Sequence, residues 1–115
     1  MKDVDGLKFD EYAKEARKVA IYPNIGSNLL YPVLGLCGES GEVAEKMKKV
    51  IRDDGGQVSE DRRAEMLKEA GDVLWYLWAI SFELDSSLEE IALMNLEKLQ
   101  SRANRGVLGG SGDNR

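Results

Sequence analysis

The chain has 115 residues, enough for one domain around one core, and its 43% hydrophobic content excludes a disordered polymer. A net charge of −5 and a pI near 4.8 exclude a nucleic-acid polymer as partner, because no basic patch is large enough to neutralise many phosphates. With no histidine and one cysteine, Cys37, the chain cannot build a Ser-His-Asp triad, a Cys-His nucleophile, an imidazole or thiolate zinc site, a Glu-x-x-His di-iron site or an intrachain disulfide. Any metal must be held by oxygen, which favours Mg²⁺, Mn²⁺ or Ca²⁺.

The opening residues Met1, Lys2, Asp3, Val4 and Asp5 are too acidic and polar for a signal peptide. The continuous apolar run 73–82 is too short to span a membrane. A cytoplasmic protein with no membrane partner is expected. The first predicted helix covers 7–22, where Phe9, Tyr12, Ala13, Ala16, Val19 and Ala20 recur at helical spacing. Pro23-Asn24-Ile25-Gly26-Ser27-Asn28 breaks it.

A second helix is predicted over 29–53, with Pro32 in its first turn. Leu36, Val43, Met47 and Val50 form its apolar stripe, and Glu39 and Glu42 lie on the neighbouring stripe. Gly35, Gly38 and Gly41 each cost about 1 kcal/mol relative to alanine and suggest close approach of a backbone or a ligand. Asp53-Asp54-Gly55-Gly56-Gln57-Val58 reads as a turn. The third helix covers 59–84 with Ser59 as N-cap. It carries Glu65, Glu69, Asp72 and Tyr76 on one stripe and is apolar nearly all round over 73–82, which predicts self-association through this helix. Ser86 and Glu89 fit a capping box opening a fourth helix, whose apolar face is Leu88, Ala92, Leu96, Leu99 and Ala103. Asn95, Lys98 and Arg102 form a polar stripe beside that face. The predicted class is all-α: one four-helix, bundle-like domain over 1–105, dimeric or a dimer of dimers, and a glycine-rich tail over 106–115.

The chemistry concentrates in two stretches. Gly35-Leu36-Cys37-Gly38-Glu39-Ser40-Gly41-Glu42-Val43-Ala44-Glu45 and Glu69-Ala70-Gly71-Asp72 each carry two carboxylates three residues apart. On a helix this spacing puts both on one face, about 4.5 Å apart in rise. An E-x-x-E alone is unspecific, since solvated faces are full of glutamates. Here the first pair sits among glycines and apolar residues, the second follows on the next helix, and Asp72 directly precedes the most apolar segment. Four carboxylates converging from two antiparallel helices repel unless a cation sits between them, so Glu39, Glu42, Glu69 and Asp72 are candidate metal ligands. Glu45 and Glu65 have weaker cases, and Lys98 and Arg102 read equally well as surface charges. Cys37 is expected to be a small buried residue.

The stretch Gly35 to Glu42, followed by Glu69-Ala70-Gly71-Asp72-Val73-Leu74-Trp75-Tyr76, resembles the MazG-like all-α nucleoside triphosphate pyrophosphohydrolases. Asn95-Leu96-Glu97-Lys98-Leu99-Gln100-Ser101-Arg102 looks like that family's closing motif, and the ending through Gly112-Asp113-Asn114-Arg115 looks like its small members. The resemblance covers residue 29 onward and is not specific for substrate. It implies a Mg²⁺-dependent hydrolase, with Mn²⁺ as a substitute, converting a (deoxy)nucleoside triphosphate to the monophosphate and pyrophosphate. It implies that Glu39, Glu42, Glu69 and Asp72 bind metal, that Lys98 and Arg102 meet phosphates, and that Asn95 sits near the sugar or the metal. Relatives are dimers or tetramers. One carboxylate, Glu42 or Glu39, would take the proton of the attacking water. If the tail folds back, Arg115 and its backbone N–H groups would cover the phosphates. Two other readings fit the residues: a dUTP/dUDP-type diphosphatase on the same scaffold, and a non-catalytic metal- or nucleotide-binding helical module.

Overall fold

The computed structural model describes residues 4–115. The opening residues 1–3 of the predicted domain lie outside the described residues. A single 3-10 turn over Val4–Gly6 precedes four α-helices: α1 (Phe9–Lys18), α2 (Leu30–Asp53), α3 (Glu60–Glu83) and α4 (Leu88–Asn104). No strand occurs among the described residues. The all-α prediction holds.

Helix α1 is shorter than its apolar spacing predicts. Asp10 and Glu11 in its first turn and Arg17 and Lys18 in its last complement the helix dipole. Beyond Lys18 the backbone tightens, with Val19 N–H on the Ala16 carbonyl at 3.3 Å and Ala20 N–H on the Arg17 carbonyl at 3.2 Å. Pro23 disfavours helical backbone at Tyr22, so the helix cannot run to the proline. Ala20 and Tyr22 still reach the core from an irregular segment.

Helices α2 and α3 form an antiparallel hairpin, the dominant contact of the fold. Pro32 lies in the first turn of α2 and is fully buried. The Ser59 side chain caps α3 by accepting from Arg62 N–H at 3.2 Å. Arg62 pins the connecting turn through Asp54 at 2.8 Å and, within α3, pairs with Glu65 at 3.2 Å. Helix α3 ends in a Schellman closure. Asp85 takes the left-handed conformation (φ 53°), its N–H reaches the Phe82 carbonyl at 3.2 Å, and Ser86 N–H reaches the Ser81 carbonyl at 2.7 Å. Ser86 is therefore committed to α3. The cap of α4 falls one residue later than predicted, on Ser87, whose hydroxyl accepts from Glu90 N–H at 3.1 Å.

The core lies where α1 and α4 meet the C-terminal half of α3: Ala16, Ala20, Tyr22, Trp78, Ala79 and Leu88. Helix α4 touches α3 and α1 but not α2. The segment 73–82 puts Trp78, Ala79 and Ser81 into the chain's own core. The larger exposed apolar sets lie elsewhere, with Leu93, Met94, Leu96 and Leu99 on α4 and Leu30, Leu34 and Ile51 on α2. The radius of gyration, 16.9 Å, exceeds the roughly 13 Å of a compact chain of this length.

Candidate functional site

The α2–α3 hairpin brings three of the four predicted carboxylates together. One oxygen each from Glu39, Glu69 and Asp72 lies within 4.8 Å of the others. Glu39 and Glu69 are half-buried, and Asp72 is exposed. Glu42 does not join this cluster. It is exposed one turn along α2, although its charge still acts on Glu39. Burial pushes the Glu39 carboxyl up, and the charges of Asp72, Glu69 and Glu42 add to that, as does its hydrogen bond with Glu69. Two carboxyl groups at hydrogen-bond distance share a proton or need a cation.

Two tyrosines border the cluster. Tyr76 continues the Glu69–Asp72 stripe by one turn. Burial raises its phenol pKa, with contributions from the neighbouring Tyr31, from Glu39 and from Asp72. Tyr12, from α1, is raised by burial and by Asp72. The Tyr76 ring lies directly on the α2 backbone at Gly35, where an added Cβ would fall inside it. So one of the three glycines of α2 does permit a close approach, by a side chain. Gly38 and Gly41 face open space. Cys37, expected inside, is exposed. Glu45 and Glu65 are paired with Lys48 at 3.2 Å and Arg62 at 3.2 Å.

A second carboxylate invisible in the sequence pattern sets the entry to α2. Glu83 accepts from Tyr22 Oη at 2.5 Å, Gly26 N–H at 2.8 Å and Asn28 N–H at 2.7 Å. These bonds fix the 23–28 loop. The Asn28 side chain then accepts from Tyr31 N–H at 3.1 Å, and Tyr31 stacks on Tyr22 with ring centroids 4.9 Å apart. Tyr31 in turn neighbours Tyr76, beside the acidic cluster.

The predicted cationic stripe stands on α4. Asn95 and Lys98 line an open cavity of about 370 Å³ with Ile91 and Met94. Arg102 is buried. Among the described residues, no ion pair or hydrogen bond joins Asn95, Lys98 or Arg102 to the acidic cluster. Both cations instead hold the tail: Lys98 Nζ is 2.7 Å from Asp113 Oδ1, and Arg102 Nη2 is 3.1 Å from the same oxygen. Arg115 is engaged with backbone carbonyls of the tail itself.

The resemblance implies four acidic ligands and two phosphate-binding cations; the hairpin gathers three of the acids, and Lys98 and Arg102 stand on the helix that follows. Comparison with known proteins bears on the family. Across 114 residues the chain is 44% identical to the "Gene 37 protein" of Mycobacterium phage L5, covering 95% of this chain and 100% of the phage protein. No solved structure matches. The family model for the MazG nucleotide pyrophosphohydrolase domain matches residues 29–107, a span holding the whole α2–α3 hairpin and α4. The chain therefore belongs to the MazG nucleotide pyrophosphohydrolase family.

Proposed function

We propose that the protein hydrolyses nucleoside triphosphates, ribo or deoxy, to the monophosphate and pyrophosphate with a divalent cation, Mg²⁺ first and Mn²⁺ as a substitute. The observation that carries this reading is the convergence of Glu39, Glu69 and Asp72 across the α2–α3 hairpin of a MazG-family chain. The residues suit such an ion. The donors are hard carboxylate oxygens with no nitrogen or sulfur among them, and the raised Glu39 carboxyl marks a place where negative charge lacks compensation. Glu39, Glu69 and Asp72 would hold the cation, and Glu42, a candidate fourth ligand by its spacing, stands outside these three. When bound, the ion would neutralise phosphate charge and acidify water.

The rest of the reaction falls to the chain's own groups. Glu42, the carboxylate outside the cluster, takes the proton of the water that attacks the α-phosphorus. Glu39 is its alternate, but it lies inside the cluster. The bond between the α-phosphorus and the bridging oxygen breaks, and pyrophosphate leaves with the electron pair. Lys98 and Arg102 bind the outer phosphates as charged donors, and Asn95 binds the sugar. A second copy covers the apolar surface of α2 and α4. Such a substrate is a soluble metabolite, which suits the cytoplasm.

Incubation with a panel of nucleoside triphosphates and Mg²⁺, followed by product analysis, tests the reading. Monophosphate and pyrophosphate support it. Diphosphate and orthophosphate contradict it, and so does metal or nucleotide binding without turnover.

A further inference from the structure

Residues 106–115 cannot continue α4, yet they are tightly organised. Gly106 closes the helix at φ 72°, with Val107 N–H returning to the Arg102 carbonyl at 2.9 Å. Beyond it, the chain wraps around one side chain. Arg115 donates from Nε to the carbonyls of Val107 (3.1 Å) and Gly109 (3.0 Å), from Nη1 to Gly112 (2.6 Å) and from Nη2 to Leu108 (3.0 Å). Arg105 Nη2 reaches the Arg115 carbonyl at 2.8 Å. This loop presses Asp113 onto α4. Its carboxylate takes Lys98 and Arg102 together, and its backbone carbonyl accepts from Arg102 Nη2 at 2.6 Å.

The partners are unequal. The Arg102 side chain is 8% exposed and that of Asp113 is 76% exposed. Arg102 is fixed in the protein, whereas Asp113 can leave into water. The buried Arg102 Nε–H also has no hydrogen-bond partner, so the cation offers a donor that Asp113 does not fill. A terminal phosphoryl group has more charge and more acceptor oxygens than a carboxylate and can replace Asp113 on these cations. Without any anion, a buried guanidinium would stand unpaired, which is costly.

We propose that Asp113 is an internal competitor for the substrate's phosphates. Residues 106–115 form a gate, closed when Asp113 sits on Lys98 and Arg102 and open when a polyphosphate replaces it. This rests on the reading above, in which these two cations take the outer phosphates. The closed gate lowers the apparent affinity for any polyphosphate by the fraction of molecules that are closed.

Inorganic pyrophosphate is the probe, titrated by calorimetry into the full wild-type chain, Asp113→Asn and Arg115→Gln. Asp113→Asn should bind it about fivefold tighter, the scale of an exposed ion pair. Arg115→Gln loosens the loop without altering the charges of α4 and should shift affinity in the same direction. In wild-type protein, pyrophosphate should move the Gly110 and Gly112 amide NMR signals to random-coil positions. Equal or weaker binding by Asp113→Asn, tail signals unchanged with pyrophosphate bound, or no binding to any of the three chains overturns the proposal. Triphosphate turnover, measured in parallel, separates the two readings. Turnover with no gain in Asp113→Asn removes the gate and leaves the function. Displacement of the tail by pyrophosphate without turnover removes the function and leaves the gate.

Discussion

Glu39 is where the acidic face is most frustrated, because burial and three neighbouring carboxylates all oppose its charge. Glu39→Gln removes that repulsion. Without metal, its thermal midpoint should equal or exceed that of the wild type. Added Mg²⁺ should raise it less, since ligand stabilisation scales with binding to the folded state. Turnover should fall on the order of 100-fold or more, the scale of losing a positioned carboxylate in such chemistry. Calorimetric scans with and without Mg²⁺, beside a turnover assay, check all three. Undiminished turnover and an unchanged Mg²⁺ response would return Glu39 to an ordinary helix surface. The two neighbouring glycines make an opposite pair. Gly35→Ala drives a methyl group into the Tyr76 ring and should destabilise by about 1–3 kcal/mol. Gly38→Ala meets nothing and should stabilise by up to about 1 kcal/mol through helix propensity. Urea unfolding of both variants measures the contrast.

At the scale of elements, local pattern and long-range contact divide the legible from the illegible. The apolar period and the Ser59 cap made α2 and α3 readable, and with them the convergence of Glu39, Glu69 and Asp72 on one face. The start of α4 lies one residue beyond its sequence signal. Asp85 enters the left-handed region despite its side chain, and the resulting closure of α3 takes Ser86 away from α4. The spacing puts Glu42 on the same face as Glu39 and does not encode its place outside the cluster. Glu83 had no sequence signal, because its partners Tyr22, Gly26 and Asn28 lie on a loop far away in the chain. The Asp113 contact with Lys98 and Arg102 was illegible for the same reason. Burial pushes the Glu83 carboxyl up, but the Tyr22 hydroxyl and two backbone N–H donors outweigh burial and hold it below its ordinary value of 4.5. A carboxyl depressed in the folded state stabilises the fold above its unfolded pKa, and that contribution is lost as pH falls through the folded value. Wild-type stability should therefore decline as pH drops from 4.5 downward. Glu83→Gln should be less stable at neutral pH and lose less over that acid range. Urea midpoints against pH give the comparison, and parallel curves for the two proteins would remove Glu83 as the clamp.

At the scale of the molecule, one copy leaves an open shape with leucines of α2 and α4 in water. Exposed apolar patches of this kind mark association surfaces. The protein should be a dimer or larger at micromolar concentration, and replacing Leu93 and Leu96 together with aspartate should reduce its mass. Multi-angle light scattering reads both, and a wild-type monomer would contradict the expectation. On the proposed reading, an acidic face at the α-phosphorus and cations at the outer phosphates would leave one outcome for the attacking oxygen, and so decide which bond breaks. Hydrolysis of a deoxynucleoside triphosphate in ¹⁸O-water with Mg²⁺, followed by mass spectrometry, tests it directly. One labelled oxygen in the monophosphate beside unlabelled pyrophosphate is the predicted result. Label in the pyrophosphate, or labelled orthophosphate beside a diphosphate, would contradict the roles given to Glu42, Lys98 and Arg102.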